Sequence, residues 1–374
     1  MARKVLFVIN SLAGGGAERV FAAVLGGSKA QLATHDCVVV LLDRDEEAYQ
    51  LPEGLRVIRL NARGLGRSVA ELVRIARRER PDVALSFLTR ANIATVTAMR
   101  ILGRPVVISE RVNTTAHLGK GRNAWASKLL VRLCYPRARR IIAVSKGVAD
   151  TLVDHFGVSR ARVRVLANPV DIDRIEALAA QPTPRLVEGP YAVAMGRLVP
   201  NKNFGLALAA FAMSGRPGHL VLMGQGPEEE ALRAQAGSLG LGDRLIMLGF
   251  VENPYAVLAR ADLMLLPSNA EGFPNALVEG MAAGVPVIAT DCPSGPAEVL
   301  SVPSRPEGSV PIVGRGGLLV PVNDVVAMAS AIRQMEDPAL RARCAAEGRQ
   351  RVRDFGVVQA VRGYWSVLSE AMDA

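Results

Sequence analysis

Two glutamates eight residues apart, Glu271 and Glu279, bracket the part of this chain best equipped for chemistry. Between them lies an elbow, Gly272-Phe273-Pro274-Asn275, and an apolar run flanks the segment on each side, Asp262–Leu266 and Val285–Ala289. The pattern is strand, loop, helix, strand. The loop opens at the carboxyl end of a buried strand, where open parallel sheets bind ligands. Pro274 suits the first turn of a helix, because its φ is preset and its missing N–H was an orphan there. The helix is expected to run to about Ala283 and to stop at Gly284. Its free N–H groups and positive dipole end suit an anionic or hydroxyl-rich ligand. One glutamate on the loop and one on the helix can approach such a ligand from two ends. Reading both as surface residues leaves the elbow, the strand edge and the second acid unexplained together.

Other loops also follow strands. Asn10 to Arg19 carries Gly14, Gly15 and Gly16, whose backbone can approach a ligand closely and cradle an anion. A dinucleotide fingerprint needs a third spaced glycine where Arg19 stands, and no Gly-Lys-Ser/Thr of a P-loop is present. A merely tight turn explains this loop equally well. Arg197 and Lys202 follow the run Ala192–Met195, and supply a bidentate fork and a point charge for phosphate oxygens. Two solvated cations are the plain alternative, and position at a strand edge favours function. Gly224 to Glu228 and Leu248 to Glu252, with Gly249 and Val251, can frame a nucleobase by backbone contacts.

These loops need a scaffold. With 374 residues the chain is long enough for two domains. Half its residues are hydrophobic, yet no run reaches the ~18 of a membrane span, and the apolar stretch Val5–Ile9 is too short for a signal-peptide core. Four scattered cysteines with no C-x-x-C pair argue against a zinc site or a disulfide framework and fit a reducing cytoplasm. In the first half, strands at 5–9, 38–42, 83–87, 106–109 and 141–144 alternate with helices at 17–30, 68–80, 91–102, 122–135 and 146–156. A linker at 167–173 and 181–184 precedes a second βα series, 301–317 reads as a loop, and the last helix includes Tyr364 and Trp365. The alternation implies parallel sheets. The expectation is two Rossmann-like doubly wound domains facing a cleft. Residues 1–180 carry 29 Lys and Arg against 16 Asp and Glu, or +13, and the remainder carries −3. A polyanionic partner is therefore expected for the first half.

With its loops in this order, the chain closely resembles the family 4 retaining glycosyltransferases of the B-type fold, from the Gly-Gly-Gly-Ala-Glu loop to the last helix. The Glu-x7-Glu stretch is the most specific part. The resemblance implies an N-terminal acceptor-binding domain over 1–175, onto which a helix at about 356–374 packs back, and a nucleotide-sugar domain over 185–355. It implies that Glu279 bonds the donor ribose. Glu271, with Gly272, Phe273 and Asn275, holds the donor sugar, and Arg197 and Lys202 neutralise the leaving diphosphate. It further implies that Gly249 and Val251 contact the base and that Gly15 and Gly16 approach the diphosphate. Catalysis keeps the anomeric configuration, and the nucleotide-sugar is a co-substrate rather than a cofactor. A UDP-sugar is the favoured donor and a GDP-sugar the alternative.

Charge stabilisation by preplaced cations requires no metal. The triplets Asp43-Arg44-Asp45 and Asp171-Ile172-Asp173 read as solvated turns rather than metal ligands. Where many relatives carry a histidine, this chain has Ser109-Glu110-Arg111, with His117 a few residues on as a surface residue. A subset of bacterial polysaccharide and lipid-linked glycan assembly enzymes looks the same here. Arg111 is then a candidate for the acceptor phosphate or the donor. Arg122, Lys128 and Arg132 fall on the 122–135 helix with Trp125, Leu129 and Leu133, a pattern of membrane-surface binding. A solvated helix burying its leucines in its own core is the alternative. The resulting expectation is a cytoplasmic enzyme, peripheral on the inner face of an anionic membrane, with a lipid-linked glycan or polysaccharide acceptor. A nucleotide-sugar epimerase of the same fold lacks the acid pair. A nucleic-acid binder would need stacking platforms, and aromatics are only 4% of residues.

Overall fold

The computed structural model describes residues 2–111, 124–183, 188–303, 308 and 310–373. The chain divides into two compact units, Met1–Pro169 with Val357–Ala374, and Val170–Gly356. The first unit holds β1 (Lys4–Ile9), β2 (Asp36–Leu41), β3 (Arg56–Arg59), β4 (Val83–Phe87), β5 (Val106–Glu110), β6 (Arg140–Ala143) and β7 (Val163–Val165). Their order is β3-β2-β1-β4-β5-β6-β7, and neighbours pair in parallel. Runs such as Val38-Val39-Val40 are buried completely. Helices over both faces of a parallel sheet produce such unbroken apolar strands.

The helix expected over 17–30 is two helices, Gly16–Gly27 and Lys29–Thr34. Ser28 breaks it. Its hydroxyl donates to the Val24 carbonyl (2.6 Å) and accepts from the Trp365 indole N–H (2.8 Å). Trp365 belongs to the last helix, Val357–Asp373, whose Val361, Tyr364 and Leu368 are also buried in this unit. Tyr364 stacks on Phe87 with ring centroids 5.7 Å apart. Near the helix end, Glu370 accepts from Arg140 Nε (3.1 Å) and Arg164 Nη2 (2.9 Å) on β6 and β7.

The second unit holds β8 (Tyr191–Met195), β9 (His219–Met223), β10 (Leu245–Gly249), β11 (Leu263–Leu266), β12 (Val287–Thr290), β13 (Ile312–Gly314) and β14 (Gly317–Val320), in the order β10-β9-β8-β11-β12-β14-β13. The edge strand β13 runs antiparallel to β14. It lies inside the segment read as a loop, and β14 begins at that segment's end. A Cβ at Gly317 would come within 1.8 Å of the Val287 carbonyl, so the glycine that suggests a loop is what lets β14 pair with β12. The supposed linker also holds structure. Asp171 caps the helix Ile172–Ala179 by accepting from Arg174 N (3.1 Å). That helix buries Ile175 and receives Asn253 Nδ2 at the Leu178 carbonyl (2.9 Å). The boundary between units consequently falls at Pro169, ahead of residue 175.

The hydrogen bond from Arg140, reinforced by Arg164, holds the Glu370 carboxyl below its usual range. Stability from a depressed carboxylate is present above the unfolded pKa and is lost as pH falls through the folded one. Glu370→Gln is expected to lower the melting temperature at pH 7. Scans at descending pH should show the gap to wild type closing once Glu370 is protonated in the folded as well as the unfolded state, and a gap that persists in acid would contradict the ionic clamp.

Candidate active site

Strand order reverses in the second unit between β8 and β11. Such a reversal opens a crevice at the carboxyl ends of the two strands. The loops leaving β8 and β11 are tied together there. Lys202 Nζ meets Glu271 Oε1 at 2.6 Å, with the side chains 21% and 10% exposed. Asn201 donates through Nδ2 to the Ala270 carbonyl (2.7 Å) and accepts at its own carbonyl from Asn269 N (2.9 Å). Asn203 Nδ2 donates to Asn269 Oδ1 (3.1 Å) and to Asn323 Oδ1 (2.9 Å). Asn203 takes a left-handed φ of 50°, which asparagine tolerates better than most residues. These asparagines escaped the sequence reading. The Pro200-Asn201-Lys202-Asn203 run carries the turn chemistry that could have pointed to them.

Arg197 is exposed beside this tie, and its side chain has no ion pair or hydrogen bond among the described residues. The guanidinium is therefore available to a ligand. Glu271 is bonded through one oxygen, and the other retains acceptor capacity for hydroxyl donors.

Beyond the ends of β8, β9 and β10 the backbones keep pairing. Gly196 N donates to the Met223 carbonyl (2.9 Å), Gly224 N to Gly249 (2.7 Å) and Leu198 N to Gln225 (2.9 Å). A Cβ at Gly224 would lie 1.9 Å from the Gly196 carbonyl, and one at Gly226 2.2 Å from that of Leu198. No side chain fits between these loops. The result is a ledge of backbone, with Gly249 at φ 64° and Phe250 78% exposed at its outer end. Val251 is half-buried next to it.

The elbow differs from expectation by one residue. Pro274 precedes the helix, with φ −81° and ψ 76°, and the helix runs Asn275–Ala282. Asn275 N–H is turned back to the Phe273 carbonyl (2.9 Å), so it is not presented to a ligand. Phe273 is buried with its ring on Phe355 (5.5 Å, edge-on), while Gly272 is half-buried. Glu279 is 7% exposed, which removes the surface reading for it. Close packing of this helix on β11 requires Gly280, where a Cβ would meet Met264 Sδ at 2.5 Å. Behind the pair, the Cys292 thiol is pushed up to about 12 by burial and then by the Glu271 charge.

In the first unit, Gly15 and Gly16 are exposed after β1, and the Glu18 carboxylate folds back over Gly15. Asp43 is not a solvated turn residue, because Arg90 pairs with it. Arg111 is buried, 6% exposed, rather than presented on the surface. Arg122 and His117 lie outside the described residues. Lys128 and Arg132 are exposed on the helix Ala124–Cys134. The own-core alternative for that helix fails. Trp125, Leu129 and Leu133 are 68%, 46% and 47% exposed, and Val131 is the buried residue.

Residues 14–174 match the family model described as Glycosyltransferase Family 4, and residues 179–351 match that of Glycosyl transferases group 1. The chain belongs to the family 4 glycosyltransferases. This glycosyltransferase is 28% identical over 379 residues to a Campylobacter jejuni enzyme named N-acetylgalactosamine-N,N'-diacetylbacillosaminyl-diphospho-undecaprenol 4-alpha-N-acetylgalactosaminyltransferase, covering 96% of this chain and 98% of that one. It is 26% identical to a second C. jejuni enzyme, GalNAc-alpha-(1->4)-GalNAc-alpha-(1->3)-diNAcBac-PP-undecaprenol alpha-1,4-N-acetyl-D-galactosaminyltransferase, over 99% of each chain. Its fold is that of Anabaena Alr3699/HepE, solved in complex with UDP, at a TM-score of 0.77 and 22% identity over 98% of this chain and 100% of that one. The architecture is the B-type glycosyltransferase fold.

In this glycosyltransferase the ledge leaves no room at Gly224. Gly224→Ala combines a backbone clash with a φ of 139° that L residues rarely adopt. It is expected to destabilise the second unit by roughly 2 kcal/mol or more, read as a fall in the denaturation midpoint. An unchanged midpoint would show that the loops can separate.

Proposed function

We propose that this glycosyltransferase moves a sugar from a nucleoside diphosphate sugar, UDP in preference to GDP, to a lipid-linked glycan acceptor in cell-surface glycan assembly. The anomeric configuration is retained and no metal is required. The observation that carries this reading is the Lys202–Glu271 tie across the β8–β11 crevice, with Arg197 free beside it. The leaving diphosphate gains negative charge as the glycosidic bond breaks. Cations already in place stabilise it most at that moment. Lys202 spends one N–H on Glu271 and has two left for phosphate oxygens, and Arg197 adds a fork. Glu271, pinned by the ammonium, orients sugar hydroxyls through its second oxygen. Glu279 holds the ribose from the helix, and the ledge at Gly249 and Val251 receives the base. UDP in the Anabaena relative supports the donor, and the undecaprenol in the names of both Campylobacter enzymes supports the acceptor.

A lipid-linked acceptor requires the enzyme at a membrane. No helix among the described residues is long and apolar enough to cross one. The exposed Trp125, Leu129 and Leu133 stripe, flanked by Lys128 and Arg132, fits peripheral docking on anionic lipid at the cytoplasmic face. Each basic residue adds at most about 1 kcal/mol, so the binding is reversible. We assign no role to nucleic acid.

A thermal-shift panel of UDP- and GDP-sugars tests the donor. A bound sugar nucleotide should raise the melting temperature, and Glu279→Ala should remove most of the rise. Lys202→Ala should lower kcat about 10²-fold, and a chelator should leave the rate alone. A rate abolished by chelation refutes the metal-free step. Sedimentation with phosphatidylglycerol vesicles at low salt tests docking. Binding should be lost in Trp125→Ala with Leu129→Ala, and equal pelleting of variant and wild type would place the membrane contact elsewhere.

A further inference from the structure

At the carboxyl ends of β4 and β5 the first unit buries a polar cluster. Ser86 Oγ donates to Asn92 Oδ1 (2.9 Å), and Asn92 Nδ2 to the Ser109 carbonyl (3.0 Å). Tyr135 OH donates to Glu110 Oε2 (2.5 Å), and Glu110 Oε1 accepts from Arg111 N (3.1 Å). Arg111 Nη1 donates to Tyr364 OH (2.6 Å) and lies 3.4 Å from Ser109 Oγ. The guanidinium sits over the Phe87 ring, 5.9 Å from its centroid. Its Nε and Nη2 are the exception in this cluster: both are buried and have no partner among the described residues. Those two nitrogens form one edge of the planar group and present parallel N–H bonds, the geometry that grips a phosphate or carboxylate with two bonds. Leaving such donors buried and unpaired is costly. The sequence that follows carries no acidic side chain for some distance. From Arg111 through Ala149 there are nine Lys and Arg and no Asp or Glu, and Glu110 is engaged elsewhere.

We infer that Arg111 is an oxyanion fork whose Nε–Nη2 edge takes a phosphate group of a diphosphate substrate, and that Tyr364 on the last helix is the positioning residue that aims it. This rests on the diphosphate chemistry proposed above and adds a site in the other unit. Tyr364 acts at the opposite edge of the guanidinium, so its hydroxyl fixes the direction of the free edge without occupying it. Two substrates carry the required group, the nucleoside diphosphate donor and the lipid-linked acceptor.

The test uses the full chain, with UDP and farnesyl diphosphate as separate calorimetric probes. Tyr364→Phe keeps the ring stacked on Phe87 and removes only the hydroxyl. It should bind one probe about 5-fold more weakly, the scale of one hydrogen bond. Arg111→Lys keeps the charge, loses the fork, and should weaken the same probe further. Loss confined to farnesyl diphosphate assigns the fork to the acceptor, loss confined to UDP assigns it to the donor, and both outcomes support it. A residue with only a packing role would leave affinity for both probes intact. If wild type binds UDP and Glu279→Ala loses it, while both fork variants keep full affinity for both probes, the inference falls and the donor reading stands. If wild type binds neither probe, both fall.

Discussion

The contact between Lys202 and Glu271 governs how the donor unit can work. Two loops leave neighbouring strands in a sheet whose order has just reversed, and nothing in the sheet itself holds them at a fixed separation. The ion pair does so, aided by Asn201, Asn203 and Asn269. Partly desolvated charges are unfavourable without a partner, so each side chain restricts the other. The ammonium is thereby stationed at the crevice before any substrate arrives. A diphosphate that binds there meets a cation already oriented, which reduces reorganisation as the bond breaks.

The same economy of motion applies to the ledge. Side chains on Gly224 or Gly226 would prop the loops apart, and the backbone amides would then be separated by flexible groups. Removing side chains lets main chain lie on main chain, with Gly224 N on the Gly249 carbonyl and Gly196 N on that of Met223. A rigid flat surface follows from this close approach, and it depends on residue size rather than on any functional group.

Much of this was legible in the sequence. The βα alternation revealed two parallel sheets because their strands are buried on both faces and read as unbroken apolar runs. The strand-edge positions of Arg197, Lys202, Glu271 and Glu279 followed from the runs beside them. What escaped had physical causes. The strands β3 and β7 are short, the first bounded by arginines and the second interrupted by one. Ser28 ends a helix by bonding Trp365, 337 positions away, which no local pattern can reveal. Gly317 reads as a loop residue although it serves a strand, because the reason for it is the Val287 carbonyl on the next strand. The partners of Arg111 were hidden likewise, since Tyr364 comes from the far end of the chain.

Arg111 differs from Lys202 in what confines it. Lys202 is held by a carboxylate that neutralises it, and therefore stabilises the fold without a ligand. Arg111 is held by neutral hydroxyls from Tyr364 and Ser109, while the Glu110 carboxylate is spent on Tyr135 and a backbone N–H. Burial depresses the pKa of Arg111, and neighbouring Tyr364 and Glu110 oppose that fall without removing it. The fold thus carries an incompletely compensated cation in a core whose chain neighbourhood is rich in positive charge. Replacing it with an apolar residue would relieve that cost if packing were its purpose. An arrangement that steers one edge with a neutral donor–acceptor and leaves the other edge bare instead conserves the charge for an incoming anion. The last helix then contributes direction to a binding group as well as apolar surface to the core.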